Sequence, residues 1–359
     1  MPLETIYVVR HGFRTSWLVD PLTGTYSSSI KTPTGGPADP ALTAHGCDQA
    51  RELGDRLLAV DPPIERVYSS LYYRCLQTIE PFVRKAEATP GASTPRDAAV
   101  TTTAAASVGG TLRVRGETGI GEWYGAANFE HPVPATPDVL ESHFPALLDH
   151  SYKPAVVPTR MGEGVDLLHD RVASTMEALI AECDRDGIRT IILCSHAAVV
   201  IALGRVLTGN MPESIETEDF KAFTCGLSLY RRRQGGLASY TKDQGAAAVE
   251  KVDSRGGTVG SAVNGAASAD TNIRCAEWRG GRGVSGGWDC LLNSDCSFLS
   301  AGEERGWRFS GDESFNSAAG ERSILGAGSV ADGADRSETQ KLDSRDGSGP
   351  KNAAGGSRL

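Results

Sequence analysis

Positive charge is in short supply in this chain: 36 Lys and Arg stand against 45 Asp and Glu among 359 residues, a formal net charge of -9. Affinity for nucleic acid duplexes comes from neutralising phosphates with Lys and Arg, so a broad nucleic-acid face is excluded and no direct nucleic-acid contact is expected. A local cationic pocket is still allowed. Paired cysteines are also missing. The eight cysteines, at 47, 75, 183, 194, 225, 275, 290 and 296, are scattered without a CxxC pair, and no signal peptide precedes the first apolar run. Disulfides are therefore not expected, and a reducing cytoplasmic or nuclear compartment is. Long apolar runs are absent too. The longest, Thr190 to Leu203, carries Ser195-His196 in its middle and is too short to cross a bilayer, so no membrane association is expected.

Large apolar side chains become sparse after about Tyr240, where Gly, Ser, Ala and Asp take over. This composition shift predicts one folded domain over 1–242, a disordered linker over 243–286, a short β-like docking motif over 287–309 and a disordered tail over 310–359. Residues 87–110 contain no Leu, Ile, Met or aromatic side chain. They cannot offset the entropy of their own ordering and read as a flexible surface insert.

Within the domain, short apolar runs alternate with helical patterns. Strands are predicted at about Thr5–Arg10, Glu65–Ser69, Leu112–Val114 and Arg189–Cys194. Helices are predicted from Leu42-Thr43, after Ser70 as a cap, over Asp138–Leu148 and Val165–Asp184, and through Val199–Leu207. A last strand pair is predicted over Phe223–Arg231 and Leu237–Thr241. The pattern implies an α/β fold of three layers, a mostly parallel sheet with helices on both faces.

Two histidines stand where such a fold puts chemistry. His11, between Arg10 and Gly12, follows Ile6-Tyr7-Val8-Val9, and His196 follows Ile191-Ile192-Leu193-Cys194-Ser195. Ligands of open α/β sheets collect beyond the carboxyl ends of the strands. Phosphoryl transfer needs a nucleophile, dispersed positive charge and a proton donor for the leaving oxygen. His11 supplies an imidazole, Arg10, Arg14 and Arg74 supply forked donors matched to phosphate, and His196 supplies one more donor, so no metal or cofactor is required. Arg74 belongs to the opening turns of a helix. Glu122, between glycines and beside Trp123, is the best proton donor. Desolvation would raise its pKa and the arginines would lower it. Glu117 is its rival.

Arg10-His11-Gly12, the segment Ser69 to Thr78, Glu122 before Trp123-Tyr124-Gly125, and Ser195-His196-Ala197, in that order, resemble the four signatures of the histidine phosphatase (phosphoglycerate mutase-like) superfamily. The resemblance covers about residues 4–240. It implies His11 as the phosphorylated nucleophile, Arg10, Arg74 and His196 as its pocket, and Glu122 as the acid/base, in a hydrolase acting on a phosphorylated small molecule or phosphoprotein. Phe13 and Trp17 stand where many members have Glu or Gln and Asn, which argues against sugar phosphates and against a phosphoglycerate-type mutase. Arg14 matches members with an additional phosphate contact.

A closer resemblance, carried by Ile6–Arg14, Gly119–Tyr124 and above all Phe298-Leu299-Ser300-Ala301-Gly302-Glu303-Glu304 with Trp307, is to fungal proteins related to the phosphatase-domain subunit of the RNA polymerase III transcription factor TFIIIC. It implies TFIIIC subunits as partners. The aromatic segment 288–309 reads equally as a strand pair folded onto the domain or as a docking element. His45, His131, His143, His150 and His169 read as surface residues, and Cys75 and Cys194 as small core residues.

Overall fold

A computed structural model describes residues 2–88, 112–234 and 277–310. Most of the 87–110 insert, the 310–359 tail and residues 235–276 lie outside the described residues. Eight strands are described: β1 (Thr5–Arg10), β2 (Trp17–Val19), β3 (Tyr26–Ser28), β4 (Arg66–Ser69), β5 (Val114–Gly116), β6 (Thr190–Ser195), β7 (Leu227–Arg232) and β8 (Trp288–Asp295). Five helices accompany them: α1 (Ala44–Leu58), α2 (Tyr73–Ala88), α3 (Pro137–His143), α4 (Val165–Asp186) and α5 (Ala197–Thr208).

Six strands form one sheet in the order β5-β4-β6-β1-β7-β8. The first four run parallel, whereas β7 is antiparallel to β1 and to β8. Every residue of β1 and β6 is buried, because successive side chains enter opposite layers. Ile6 and Val8 pack with Leu179, Val199 and Leu203 of α4 and α5. Tyr7 and Val9 pack with Leu53 and Leu57 of α1 and Leu76 and Ile79 of α2. A fully buried aliphatic side chain of this kind contributes about 1.5–3 kcal/mol. The three-layer α/β class expected from the patterning is the architecture present.

Helix boundaries follow their local chemistry. Thr43 caps α1, its hydroxyl accepting from the Gly46 amide at 3.1 Å. Gly187 and Gly209 end α4 and α5 in the left-handed region, at φ 70° and 80°. Ser70 does not act as the main cap of α2. Its hydroxyl turns toward His196, and the Tyr73 amide instead donates to Asp39 Oδ1 at 2.7 Å.

The strand beside β7 differs from the expected hairpin partner: it is β8, from the tail segment, while 237–241 lies outside the described residues. Trp288 and Phe309 are buried in the domain's own core, as are Trp278 and Val284 from the stretch expected to be linker. The hairpin of β2 and β3 within the Gly/Pro-rich loop was not expected. It brings Trp17 and Val19 into a small cluster with Tyr72 and Tyr124.

Candidate active site

Strands β1 and β6 are parallel and in register, with Arg10 opposite Ser195. The next residue of each, His11 and His196, therefore leaves the same edge of the sheet, and the His11 amide donates to the Ser195 carbonyl at 2.9 Å. Their rings meet edge to face with centroids 5.4 Å apart. Gly46 lets the start of α1 close over this turn, since a Cβ there would lie 2.0 Å from the Phe13 carbonyl oxygen.

His11 is 2% exposed. Its Nδ1 lies 2.8 Å from the Gly12 carbonyl oxygen, which can only accept, so the proton is assigned to Nδ1 and Nε2 keeps its lone pair. Burial drives its pKa well below the usual imidazole value, and Arg74, Arg10, His196 and Arg14 push the same way. At neutral pH this ring is neutral and nucleophilic.

His196 carries the opposite bias. Its Nε2 is 2.8 Å from Ser70 Oγ, and its Nδ1 is 3.1 Å from Glu122 Oε2. Burial works against its charge, but Cys75 and Glu122 more than offset this and raise its pKa. The Cys75 thiol, 3.5 Å from Nε2, is itself held neutral by burial, so Glu122 is the anion that favours the imidazolium.

Arg74 is fully buried, donating to Glu122 Oε2 at 2.8 Å and to the Ala38 carbonyl at 3.2 Å, with Asp39 at 3.6 Å. Arg10 donates to the carbonyls of Ala222, at 2.8 Å, and Arg305. Arg14 donates to the Thr15 carbonyl at 2.9 Å and sits 5.9 Å from the centroid of Trp17. All six residues expected from the sequence converge here, and Arg10, His11, Arg14 and Glu122 line one concavity together with Trp123 and Trp307. A larger groove beside residues 30–43 is lined by no imidazole or carboxylate.

Burial raises the pKa of Glu122, but His196, Arg74 and Arg14 prevail and hold it well below the usual carboxylate range. Glu122 is thus a carboxylate in the ligand-free site. Its rival Glu117 lies elsewhere: fully buried, it accepts from Tyr152 Oη at 2.6 Å and from the Gly119 and Ala155 amides at 2.7 and 2.8 Å. The Glu122 loop is held from behind by Arg171, which donates to Glu163 at 2.6 Å and to the carbonyls of Gly119 and Gly121 at 2.8 and 3.3 Å. Donor atoms of His11, Glu122 and His196 lie within 4.8 Å of one another, close enough to ligate a metal ion. The guanidinium groups of Arg10, Arg14 and Arg74 around them favour an oxyanion over a cation.

Residues 6–96 match the model of the histidine phosphatase superfamily, branch 1. The match covers 91 of the 359 residues. It is 26% identical over 318 residues to the transcription factor tau 55 kDa subunit of Saccharomyces cerevisiae, covering 86% of this chain and 59% of that protein. It is 26% identical over 185 residues to mouse ubiquitin-associated and SH3 domain-containing protein B, covering 51% of this chain and 25% of that protein. The chain thus spans less than two thirds of the first curated relative and a quarter of the second. Among solved structures, it is similar to the ecdysone phosphate phosphatase from Bombix mori, with 20% identity, a TM-score of 0.46, and 72% and 98% of the two chains covered. The α-ribazole phosphatase from Shigella flexneri gives 20% identity, a TM-score of 0.37, and 64% and 91% coverage.

Three contributors to the pocket had no assigned part in it from sequence: Asp39, Ser70 and Trp307. The Asp39-Pro40 dipeptide was the available sign for the first, since such loops place carboxylates at helix starts. Two histidines expected at the surface are buried. His131, 4% exposed, stacks on Tyr124 at 5.1 Å, and fully buried His169 stacks on Trp278 at 6.0 Å. Burial lowers the pKa of His169 to about 4. Cys75 and Cys194 are fully buried, and the described cysteines are free thiols.

Proposed function

We propose that this protein is a phosphomonoester hydrolase that works through a phosphohistidine at His11. The observation that carries this reading is the neutral Nε2 of His11, aimed into a pocket of guanidinium groups and faced by a second imidazole biased towards its charged form. Nε2 attacks phosphorus in line, the P–N bond forms as the P–O bond to the leaving group breaks, and Arg10, Arg14, Arg74 and His196 neutralise the equatorial oxygens.

Glu122 handles the protons, with a change from the sequence-based expectation. Because the ligand-free carboxylate is ionised, the proton it gives to the leaving oxygen has to arrive with the substrate. A phosphomonoester, whose second pKa is about 6, brings one as its monoanion. In the second half, Glu122 accepts a proton from water, the resulting hydroxide attacks phosphorus, the P–N bond breaks and inorganic phosphate forms. Phosphorylated small molecules and phosphoproteins both fit this chemistry. Turnover of phenyl phosphate by the wild-type protein and its disappearance in His11→Ala are expected, and no turnover by the wild type contradicts the reading.

A second reading, partnership with the subunits of TFIIIC and hence a nuclear role, is supported by one observation. Similarity to the yeast transcription factor subunit spans 86% of this chain, more than the pocket-forming segments require. Affinity purification of the intact chain tests it, with recovery of RNA polymerase III factors as the expected result and their absence contradicting it. Among the described residues no helix is long and apolar enough to cross a membrane.

A further inference from the structure

We propose that Trp307, from the far end of the chain, is the wall that sizes the leaving group in the pocket of His11, an inference that rests on the hydrolase reading above. Strand β8 makes this possible. Val9 of β1 pairs with Leu227 of β7, which pairs with Asp295 at the end of β8, so the chain leaves β8 at the edge where His11 emerges. Cys296 and Leu299 then sink into the core layer of α1 and α2, and Phe309 sinks into the opposite layer, 5.4 Å from Trp123. Between these anchors the segment 303–309 runs across the carboxyl edge of the sheet as a strap.

Its path is fixed at several points. Glu304 accepts from Gln49 Nε2 at 2.8 Å and pairs with His45, and its carbonyl accepts from the Thr224 amide at 3.2 Å. Arg305 is left-handed at φ 52°, a conformation that costs a non-glycine residue about 1–3 kcal/mol. The turn directs its carbonyl onto Arg10, while its guanidinium lies 4.5 Å from the centroid of Phe13. Trp307 follows, half-buried, packed on Phe309 at 4.8 Å and lining the concavity opposite Ala197 and Ala198.

The space so enclosed is only ≈ 10 Å³, about enough for one water and far below the about 300–1,000 Å³ usual for ligand clefts. With the phosphoryl oxygens against Arg10, Arg14 and His11, the leaving group lies towards the two large apolar side chains of the lining, Trp123 and Trp307. Any leaving group larger than a water has to displace one of the two, and Trp307, half-buried where Trp123 is 3% exposed, is the one free to give way, further for fused rings than for a single ring. The strap thereby sets substrate size without touching the phosphorus.

The test compares phenyl phosphate with 1-naphthyl phosphate as substrates, and phenylphosphonate with 1-naphthylphosphonate as non-hydrolysable ligands in calorimetry, on the full chain and its Trp307→Ala variant. Trp307→Leu replaces the alanine variant if that fails to fold. The truncation is expected to raise the naphthyl-to-phenyl ratio of kcat/KM about tenfold or more, and the ratio of association constants in the same sense. Unchanged ratios in a folded variant overturn the assignment of Trp307. A shifted phosphonate ratio with no turnover of either ester by the wild type instead overturns the hydrolase reading and leaves the wall standing.

Discussion

The rings of His11 and His196 lie 5.4 Å apart, and their surroundings push them to opposite protonation states. Burial and the arginines strip the proton from His11, whereas Glu122 favours it on His196. Paired titratable groups driven apart in this way divide nucleophilic and electrophilic roles between chemically identical side chains.

The pH dependence of turnover follows from that division. His11 is active when neutral, and its pKa is lowered, so the acid limb of kcat/KM is expected well below pH 6.5. His196, with its raised pKa, stays charged past pH 6.5, so the alkaline limb is expected at about pH 6, where the ester loses the proton it brings. Replacing Arg10 by Gln removes one charge that depresses His11 and is expected to move the acid limb upward. A pH–rate profile of both proteins on phenyl phosphate checks this, and an unmoved limb removes His11 as the group titrating there.

Glu122→Gln separates proton transfer from nucleophilic attack. A general acid contributes about 10²–10⁴-fold where the leaving oxygen needs a proton and little where it does not. An alkyl phosphate is therefore expected to lose about that factor, and 2,4-dinitrophenyl phosphate far less. Equal losses for the two leaving groups would remove Glu122 from the proton-transfer role.

Stability is expected to fall towards acid pH in two stages. The unfolded chain binds a proton at His11 below about pH 6.5 while the folded chain does not, so stability drops as pH falls from there. Below about pH 4.5 the unfolded chain also protonates Glu122 while the folded chain keeps it ionised, and the drop steepens. His196, with its raised pKa, contributes stability that is present at low pH and fades as pH rises through its folded value. Urea midpoints measured from pH 4 to 8 for the wild type, His11→Ala and Glu122→Gln assign the stages, each variant losing its own.

Arg171→Met leaves Glu163 buried without its partner at 2.6 Å and frees the carbonyls of Gly119 and Gly121. Breaking a buried pair from one side costs about 3–5 kcal/mol. A lower urea midpoint is expected, together with reduced turnover because the Glu122 loop loses its support.

Local pattern disclosed much of this molecule and non-local pairing withheld the rest. Strands β1 and β6 are continuous apolar runs that end in His, so their placement and that of His11 and His196 were legible in the sequence. Arg74 and Glu122 were legible from a helix start and a glycine-flanked loop. Neither β8 beside β7 nor Trp307 over His11 has a local sign, because both depend on a segment returning from the tail to the sheet edge. Edge pairing is set by the side chains it meets rather than by the strand's own preference. The protonation state of Glu122 was hidden for a related reason: the sequence named the opposing influences, and only the geometry weighed them.

The most direct test is covalent. The full chain, mixed with phenyl phosphate and quenched within milliseconds into alkali, where phosphoramidates survive, is digested and mapped by mass spectrometry. A phosphoryl group on the peptide containing His11, absent from His11→Ala, is the predicted result. Phosphoryl transfer to any other residue, or steady turnover with no adduct on His11 at any quench time, would contradict the account.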